Sequence, residues 1–343
     1  MSPEVNSQSG NKIRVIVAYS GAHPAHQKLL ANCCSSSIKM LGEWSVDGAI
    51  SNKKKLKAHT VTAWKLRSNP AEIIIIEGTI PTIIMAPLIK LLNHRPKIIA
   101  LCGEDALYQA FVAGRSLLRV PMYLSFRFVS GIIASGDLVT KLAREHFKTL
   151  PVETIYPQVD ESKLKSLVSL KPSLNSHNMI LIGGRDEHVK GLDIAIECLE
   201  AIRATFPDAQ LTVLGFPKVK ERPGVTSPGA VSDIKPYLSA SSVLIHPGRG
   251  EAFGLVIMEA MLAGVIPFVS EWTGAASLAI KASPELVAPL KAEEFAKRIA
   301  AFWSAPEEYR QELSEKCRQV AREFAAQTAN QPSLTPFIES FHG

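Results

Sequence analysis

Ser242-Val-Leu-Ile-His-Pro-Gly-Arg-Gly-Glu251-Ala-Phe-Gly-Leu-Val-Ile-Met-Glu259-Ala-Met-Leu-Ala-Gly264-Val-Ile-Pro-Phe-Val-Ser270 is the stretch that decides the fold. Val243 to Ile245 is an apolar run of strand length. A glycine-rich turn follows, then an apolar helix from about Gly254 to Ala263 that Gly264 stops, then a second strand-like run from Val265 to Val269. That is one βαβ unit of a parallel sheet. The helix is apolar on nearly every face, so it should be buried, yet it carries Glu259. A lone carboxylate there costs several kcal/mol unless it is paired or hydrogen-bonded. Glu251 stands just before the helix, where the first backbone N–H groups are exposed and an anion is favoured. The unit therefore offers an anion pocket flanked by two carboxylates, with glycines that admit a ligand to the backbone.

A second segment of the same kind lies upstream. In Met179-Ile-Leu-Ile-Gly-Gly-Arg-Asp-Glu-His-Val-Lys-Gly-Leu-Asp193 a strand ends in Gly183-Gly184, and Lys190 is expected to open a helix carrying Ile194, Ile196, Cys198 and Leu199. Arg185 and Lys190 thus fall at the carboxyl edge of a strand beside a helix N-terminus. Cations at that end oppose the helix dipole, so stability does not account for them. They are well placed to hold a diphosphate.

Glu251-Ala-Phe-Gly-Leu-Val-Ile-Met-Glu259, after His-Pro-Gly and before Ala263-Gly264-Val265-Ile266-Pro267, resembles the signature of retaining glycosyltransferases of family 4. The Gly-Gly-Arg…Lys-Gly run resembles the phosphate-binding segment of that family, and Gly229-Ala-Val231-Ser-Asp233 resembles its loop against the nucleotide base. The resemblance is strong over 178–280, fair over 97–160 and faint before that. It implies the GT-B fold: two Rossmann-like domains with parallel sheets facing across a central cleft. An acceptor-side domain is expected over 1–158, a nucleotide-sugar-binding domain over 174–330, and a tail of about 331–343 that crosses back onto the first. It also implies transfer of a sugar from a UDP- or GDP-sugar to a glycan or lipid-linked acceptor, with retention at the anomeric carbon. On this resemblance Arg185, Lys190 and the N–H groups near Phe253, Gly254 and Leu255 would meet the charge growing on the leaving diphosphate. Glu251 would bind sugar hydroxyls and Glu259 the two ribose hydroxyls. Gly183, Gly184 and Val231 would line the donor site. Gly21, in the turn after the first strand, is a candidate contact to the donor sugar, although a structural turn explains it as well. Many relatives carry a histidine near Glu104 and Asp105; here either acid substitutes for it or caps the next helix. His246 is a candidate sugar contact, and a histidine before Pro at a strand end serves equally as a core residue.

Composition sets the outer bounds. A chain of 343 residues with 46% hydrophobic and 20% charged residues suits two globular domains. The net charge of +6 is concentrated early, with 19 basic against 11 acidic residues over 1–160 and 19 against 21 after it. A basic first half suits an anionic partner. Asp105 to Phe128, mostly apolar, mixes Tyr108, Phe111, Tyr123, Phe126 and Phe128 with Arg115, Arg119 and Arg127. It fits either a helix in contact with an anionic membrane or one half-buried against the sheet, with Pro121 breaking the pattern. Residues 53–57 read as a solvated lysine-rich loop, and 157–176, rich in Ser, Lys and Pro, as the link between domains.

Cys33, Cys34, Cys102, Cys198 and Cys317 form no CxxC pair and read as buried thiols in a reducing compartment. The polar first ten residues suggest no signal peptide. A cytoplasmic protein, working at the cytoplasmic face of the membrane if the acceptor is a lipid, is the expectation. No Asp-x-Asp pair stands at a strand end, so no dedicated metal and no cofactor is expected, and aromatics do not interleave with basic residues as in an RNA-binding sheet. Two other readings remain: a nucleotide-sugar epimerase or phosphorylase on the same fold, and a non-catalytic relative that binds membrane or nucleic acid through its basic half.

Overall fold

A computed structural model describes residues 13–19, 30, 36–39, 52–103, 105–184, 187–216 and 219–342. Two six-stranded parallel sheets dominate it. The first contains β1 (Val15–Tyr19), β2 (Ser36–Lys39), β3 (Ile73–Glu77), β4 (Lys97–Cys102), β5 (Gly131–Ser135) and β6 (Val152–Ile155), in the order β2-β1-β3-β4-β5-β6. The second contains β7 (Asn178–Ile182), β8 (Gln210–Leu214), β9 (Val225–Gly229), β10 (Val243–His246), β11 (Ile266–Ser270) and β12 (Val287–Ala288), in the order β12-β11-β10-β7-β8-β9. Strands covered on both faces must be apolar throughout, and Ile73-Ile74-Ile75-Ile76 in the middle of the first sheet is almost wholly buried. In the second sheet β10 pairs in parallel with both β7 and β11, which sets the carboxyl edges of all three side by side. Open α/β sheets bind ligands at such edges.

The helices depart from the sequence reading in several places. The lysine run 53–57 lies inside helix α1 (Asn52–Leu66) and is not a loop. Helix α2 (Thr79–Leu92) follows β3. The stretch from Asp105 to Phe128 splits into α3 (Ala106–Phe111) and α4 (Ser116–Phe126) at Gly114, whose φ of 78° a side chain would strain. Pro121 sits within α4 and removes one backbone donor without ending the helix. Helix α5 (Asp137–His146) follows β5. The supposed linker holds α6 (Glu161–Val168), begun by Asp160, whose carboxylate accepts the Ser162 N–H at 2.8 Å.

Lys190 does not open the long helix after β7. It ends a single turn, α7 (Glu187–Lys190), and Gly191 (φ 73°) separates that turn from α8 (Leu192–Ile202). A Cβ at residue 191 would lie 2.1 Å from the Pro247 carbonyl oxygen, so the chain bends there only with glycine. Helix α9 (Lys235–Ala240) begins six residues after Gly229 rather than at it. Helix α10 (Leu255–Ala263) lies between Gly254 and Gly264, both in the left-handed region. After it come α11 (Ala276–Ala282), α12 (Ala292–Ser304), α13 (Glu307–Ala329) and α14 (Thr335–Glu339). Leu334 and Ile338 are buried with Val15, Ile73, Ile75, Ile99 and Ile133 of the first sheet. The Gln331 amide both donates to and accepts from the Tyr156 backbone, at 3.0 and 3.1 Å.

Candidate active site

The cleft between the sheets is built from loops at their carboxyl edges. A cavity of about 420 Å³ is lined on one side by Glu77, Gly78 and Ser135, and on the other by Gly183, Lys190 and the run from Glu251 to Val256. Gly254 and Leu255 bring the N-terminus of α10 to its wall, so the free N–H groups of that helix face the space. Lys190 and Glu251, 61 residues apart, form a direct ion pair through Nζ and Oε2. Burial pushes the Glu251 carboxyl up, but His246 and the Lys190 ammonium outweigh it and hold it at about 2. Glu251 is therefore anionic throughout the physiological range.

His246 ends β10 and is wholly buried behind Glu251, with Nε2 3.8 Å from Oε2. Burial pushes its pKa below the ordinary imidazole value, so the ring is neutral. It supports Glu251 from behind and does not line the cavity.

The loop that carries Glu251 is braced from two directions. Arg249 grips Asp193 of α8 with both terminal guanidinium nitrogens, at 2.8 and 2.7 Å, and donates to the His188 carbonyl at 2.7 Å. Its backbone N–H bonds the Val189 carbonyl at 2.7 Å. Two of these four bonds tie the turn bearing Lys190 to the loop bearing Glu251, and the other two tie that loop to α8. From the other side Gly274 N–H donates to the Glu251 carbonyl at 2.9 Å, and Ala275 N–H to that of Phe253 at 2.7 Å. Gly274 is required by contact, since a Cβ there would lie 1.9 Å from the Ala252 oxygen.

Glu259 lies four residues into α10, and 6% of its side chain is exposed. Burial raises its pKa, and Lys163 opposes that with an Nζ–Oε1 contact of 2.6 Å. The pairing answers the question the sequence poses about a carboxylate on a buried helix. Its partner comes from α6, 96 residues away. This pair borders a second cavity of about 710 Å³, whose other walls are Ser162 and Ser166 of α6 and the loop from Val231 to Lys235. Ile182 and Val256 line both cavities, so the two adjoin over the N-terminal turn of α10.

The sequence candidates thus fall into groups. Lys190, Glu251, Gly183, Phe253, Gly254 and Leu255 meet at the first cavity, and Glu259 and Val231 at the second. Gly184 has open space beside it but lines neither. Asp105 precedes α3 and makes no side-chain cap; its Oδ2 accepts from Gln109 Nε2 at 3.0 Å. Gly21, Glu104 and Arg185 lie outside the described residues. Lys163, Arg249, Glu77 and Asp193 were not singled out from sequence. Only Arg249 carried a signal, as a charged residue inside the Gly-rich turn.

Residues 171–323 match the family described as Glycosyl transferases group 1. A phosphatidyl-myo-inositol mannosyltransferase of Propionibacterium freudenreichii subsp. shermanii is 36% identical over 92 residues, which is 26% of this chain and 24% of that protein. The alignment therefore spans about a quarter of that relative. Among solved structures, sucrose-phosphate synthase from Thermosynechococcus elongatus superimposes with a TM-score of 0.68 at 16% identity, covering 96% of this chain and 98% of that one. HepE from Anabaena, solved with UDP and glucose, gives 0.64 at 15% identity over 95% and 100% of the two chains. The chain has the GT-B fold, and its match to glycosyl transferases group 1 falls on the half that carries the second sheet.

Proposed function

We propose that the chain is a retaining glycosyltransferase that moves a sugar from a UDP- or GDP-sugar onto a hydroxyl of a glycan or lipid-linked acceptor. The observation that carries this reading is the pair of adjoining cavities along α10, each bordered by a carboxylate and a lysine. A nucleotide sugar has the matching sequence of parts. Its nucleoside would occupy the second cavity, with the ribose hydroxyls on Glu259. Its diphosphate would lie across the N-terminal turn of α10, and its sugar would enter the first cavity beside Glu251.

The chemistry follows from charge. As the glycosidic bond breaks, negative charge grows on the leaving diphosphate and positive charge on the sugar. The N–H groups of α10 and the Lys190 ammonium favour the first, and the anionic Glu251 favours the second. Lys190 has three donors and gives one to Glu251, so two remain for phosphate oxygens. These fixed donors would offset the diphosphate charge as a metal ion does in other sites. Arg185 belongs to the same proposal through its place in the sequence.

The reading is tested by thermal unfolding against UDP, GDP, ADP and their sugars, with and without magnesium. At a hundred times Kd, one nucleotide family should stabilise the protein by about 2.7 kcal/mol. No shift with any of them overturns the reading and favours the non-catalytic alternative.

A lipid-linked acceptor fits the outer face of α4. Leu117, Val120 and Leu124 recur at helical spacing and are exposed, Leu117 to 90%, with Tyr123 and Phe128 beside them. Arg115 and Arg127 flank the row at the two ends of the helix and are exposed too. Such a face suits shallow insertion among anionic headgroups. Among the described residues no helix is long and apolar enough to cross a membrane. Co-sedimentation with vesicles containing phosphatidylglycerol should fall at least tenfold for Leu117→Asp/Leu124→Asp while nucleotide binding is unchanged. Equal sedimentation of the two proteins would remove the membrane contact.

A further inference from the structure

We infer that Tyr108, from the half of the chain that carries the first sheet, is a positioning residue for Glu251 in the other half. This rests on the transfer reading and adds to it the side chain that holds its carboxylate in place. Glu251 follows Gly250, whose backbone is free to adopt many conformations unless its surroundings fix it. Arg249 and Gly274 brace the loop from within the second half. A third support comes across the cleft.

Gly250 has a φ of 87°, and a Cβ there would lie 2.6 Å from the Tyr108 Cβ and 2.7 Å from its ring atoms Cγ and Cδ1. The tyrosine therefore lies directly on the backbone of the residue before Glu251. Its ring also meets that of Trp272, with centroids 5.5 Å apart and planes at 56°. The Trp272 carbonyl in turn accepts the Gly250 N–H at 3.1 Å. Tyr108 thus covers both ends of one hydrogen bond in the loop. Its own place is fixed, since it is 7% exposed and belongs to the core beneath α3.

The residue after Glu251 bears on the first half as well. Ala252 and Trp272 pack against the core that holds Tyr108, and a Cβ on Gly136, just before α5, would lie 2.6 Å from the Ala252 carbonyl oxygen. Both neighbours of Glu251 are therefore seated on the first half, while its own side chain pairs with Lys190 at the first cavity. Tyr108 lines neither cavity, so it acts through the loop and not on a substrate. Without the ring, Gly250 loses its cover and Glu251 its fixed backbone. Misplacing a reacting group by about 1 Å costs about a hundredfold in rate. The second cavity takes its walls from Ser162 to Glu259, so nucleotide affinity has no reason to change.

The test compares the full chain with Tyr108→Ala and Tyr108→Phe, using UDP-glucose and GDP-mannose as probes and water as the acceptor. Tyr108→Ala should hydrolyse the bound donor between about tenfold and a hundredfold more slowly, with UDP or GDP affinity by calorimetry unchanged. Hydrogen exchange at the backbone amides of residues 250–254 should quicken severalfold. Tyr108→Phe should match the wild type in all three, because the approach to Gly250 runs through Cβ, Cγ and Cδ1 and not the hydroxyl. Unchanged hydrolysis or unchanged exchange in Tyr108→Ala overturns the proposal, and so does a Tyr108→Phe protein as slow as Tyr108→Ala. Should Tyr108→Ala fail to fold, Trp272→Leu removes the other ring of the contact and is held to the same three results. Failure of the wild type to bind either nucleotide removes the transfer reading instead, and exchange at the loop still decides whether Tyr108 holds it.

Discussion

Lys190→Met is expected to lower kcat by about two to three orders of magnitude, the usual effect of removing one fixed donor from a leaving oxyanion. Two causes would be mixed in that loss. Lys190 is also the partner of Glu251, whose carboxyl is mostly buried and held at about 2. Deleting the lysine strands a buried anion next to a neutral histidine, and breaking such a pair costs about 3–5 kcal/mol. Adding Glu251→Gln removes the stranded charge. The double variant should therefore recover much of the stability lost in Lys190→Met but none of the activity. Glu251→Gln alone should be as inactive as the double variant. The two single effects on stability should be far from additive, since the side chains are in contact. Steady-state transfer, or slow donor hydrolysis, together with urea unfolding of all four proteins separates the two causes. Wild-type turnover in the double variant would end the assignment of these residues to the reaction.

The parts of this site that could be read from sequence are those that depend on neighbours along the chain. The run from Ser242 to Ser270 announces strand, turn, helix and strand because each has its own period and punctuation, and Gly254 and Gly264 do bound the helix in left-handed conformations. Lys190 could be placed near a strand edge but not on the right element. The bend at Gly191 depends on the Pro247 carbonyl, more than fifty residues away. The partner of Glu259 was out of reach for a similar reason. Lys163 sits in a Ser- and Lys-rich stretch whose apolar residues, Leu164, Leu167 and Val168, form too short a stripe to mark a helix by periodicity alone. What makes it a helix is the Asp160 cap and packing against α10. Arg249 and Asp193 show the same limit, since a bidentate clamp between residues 56 apart leaves no local pattern. The charge on Glu259 requires a partner, and the sequence states that requirement without naming who meets it.

Arg318→Met should destabilise the protein by about 3–5 kcal/mol, the largest stability effect expected of any single change outside the cleft. Arg318 is buried on α13 and donates to four carbonyl oxygens: Leu262 at 2.8 Å and Ala263 at 2.7 Å, then Val168 at 3.0 Å and Leu170 at 2.7 Å. The first two are orphan carbonyls at the end of α10, and the other two lie at and beyond the end of α6. A cation is favoured at a helix C-terminus, and here one guanidinium serves two of them. Those two helices carry Glu259 and Lys163, so the clamp also fixes the distance across which that pair forms. Gly264 belongs to the same arrangement, because a Cβ there would come within 2.5 Å of the Arg318 guanidinium. Methionine fills part of the volume but leaves four buried acceptors without donors, and each such loss costs about 1–3 kcal/mol before water and relaxation recover some of it. Arg318→Lys should recover only a fraction, since a point charge cannot reproduce the planar fork that reaches both helix ends. Urea unfolding checks the magnitude. If Arg318→Met loses less than about 1 kcal/mol, the carbonyls find water, and the guanidinium is not what joins the helices. If the full loss appears and nucleotide affinity measured well below the unfolding transition also falls, the clamp acts on the donor site through the spacing of Lys163 and Glu259.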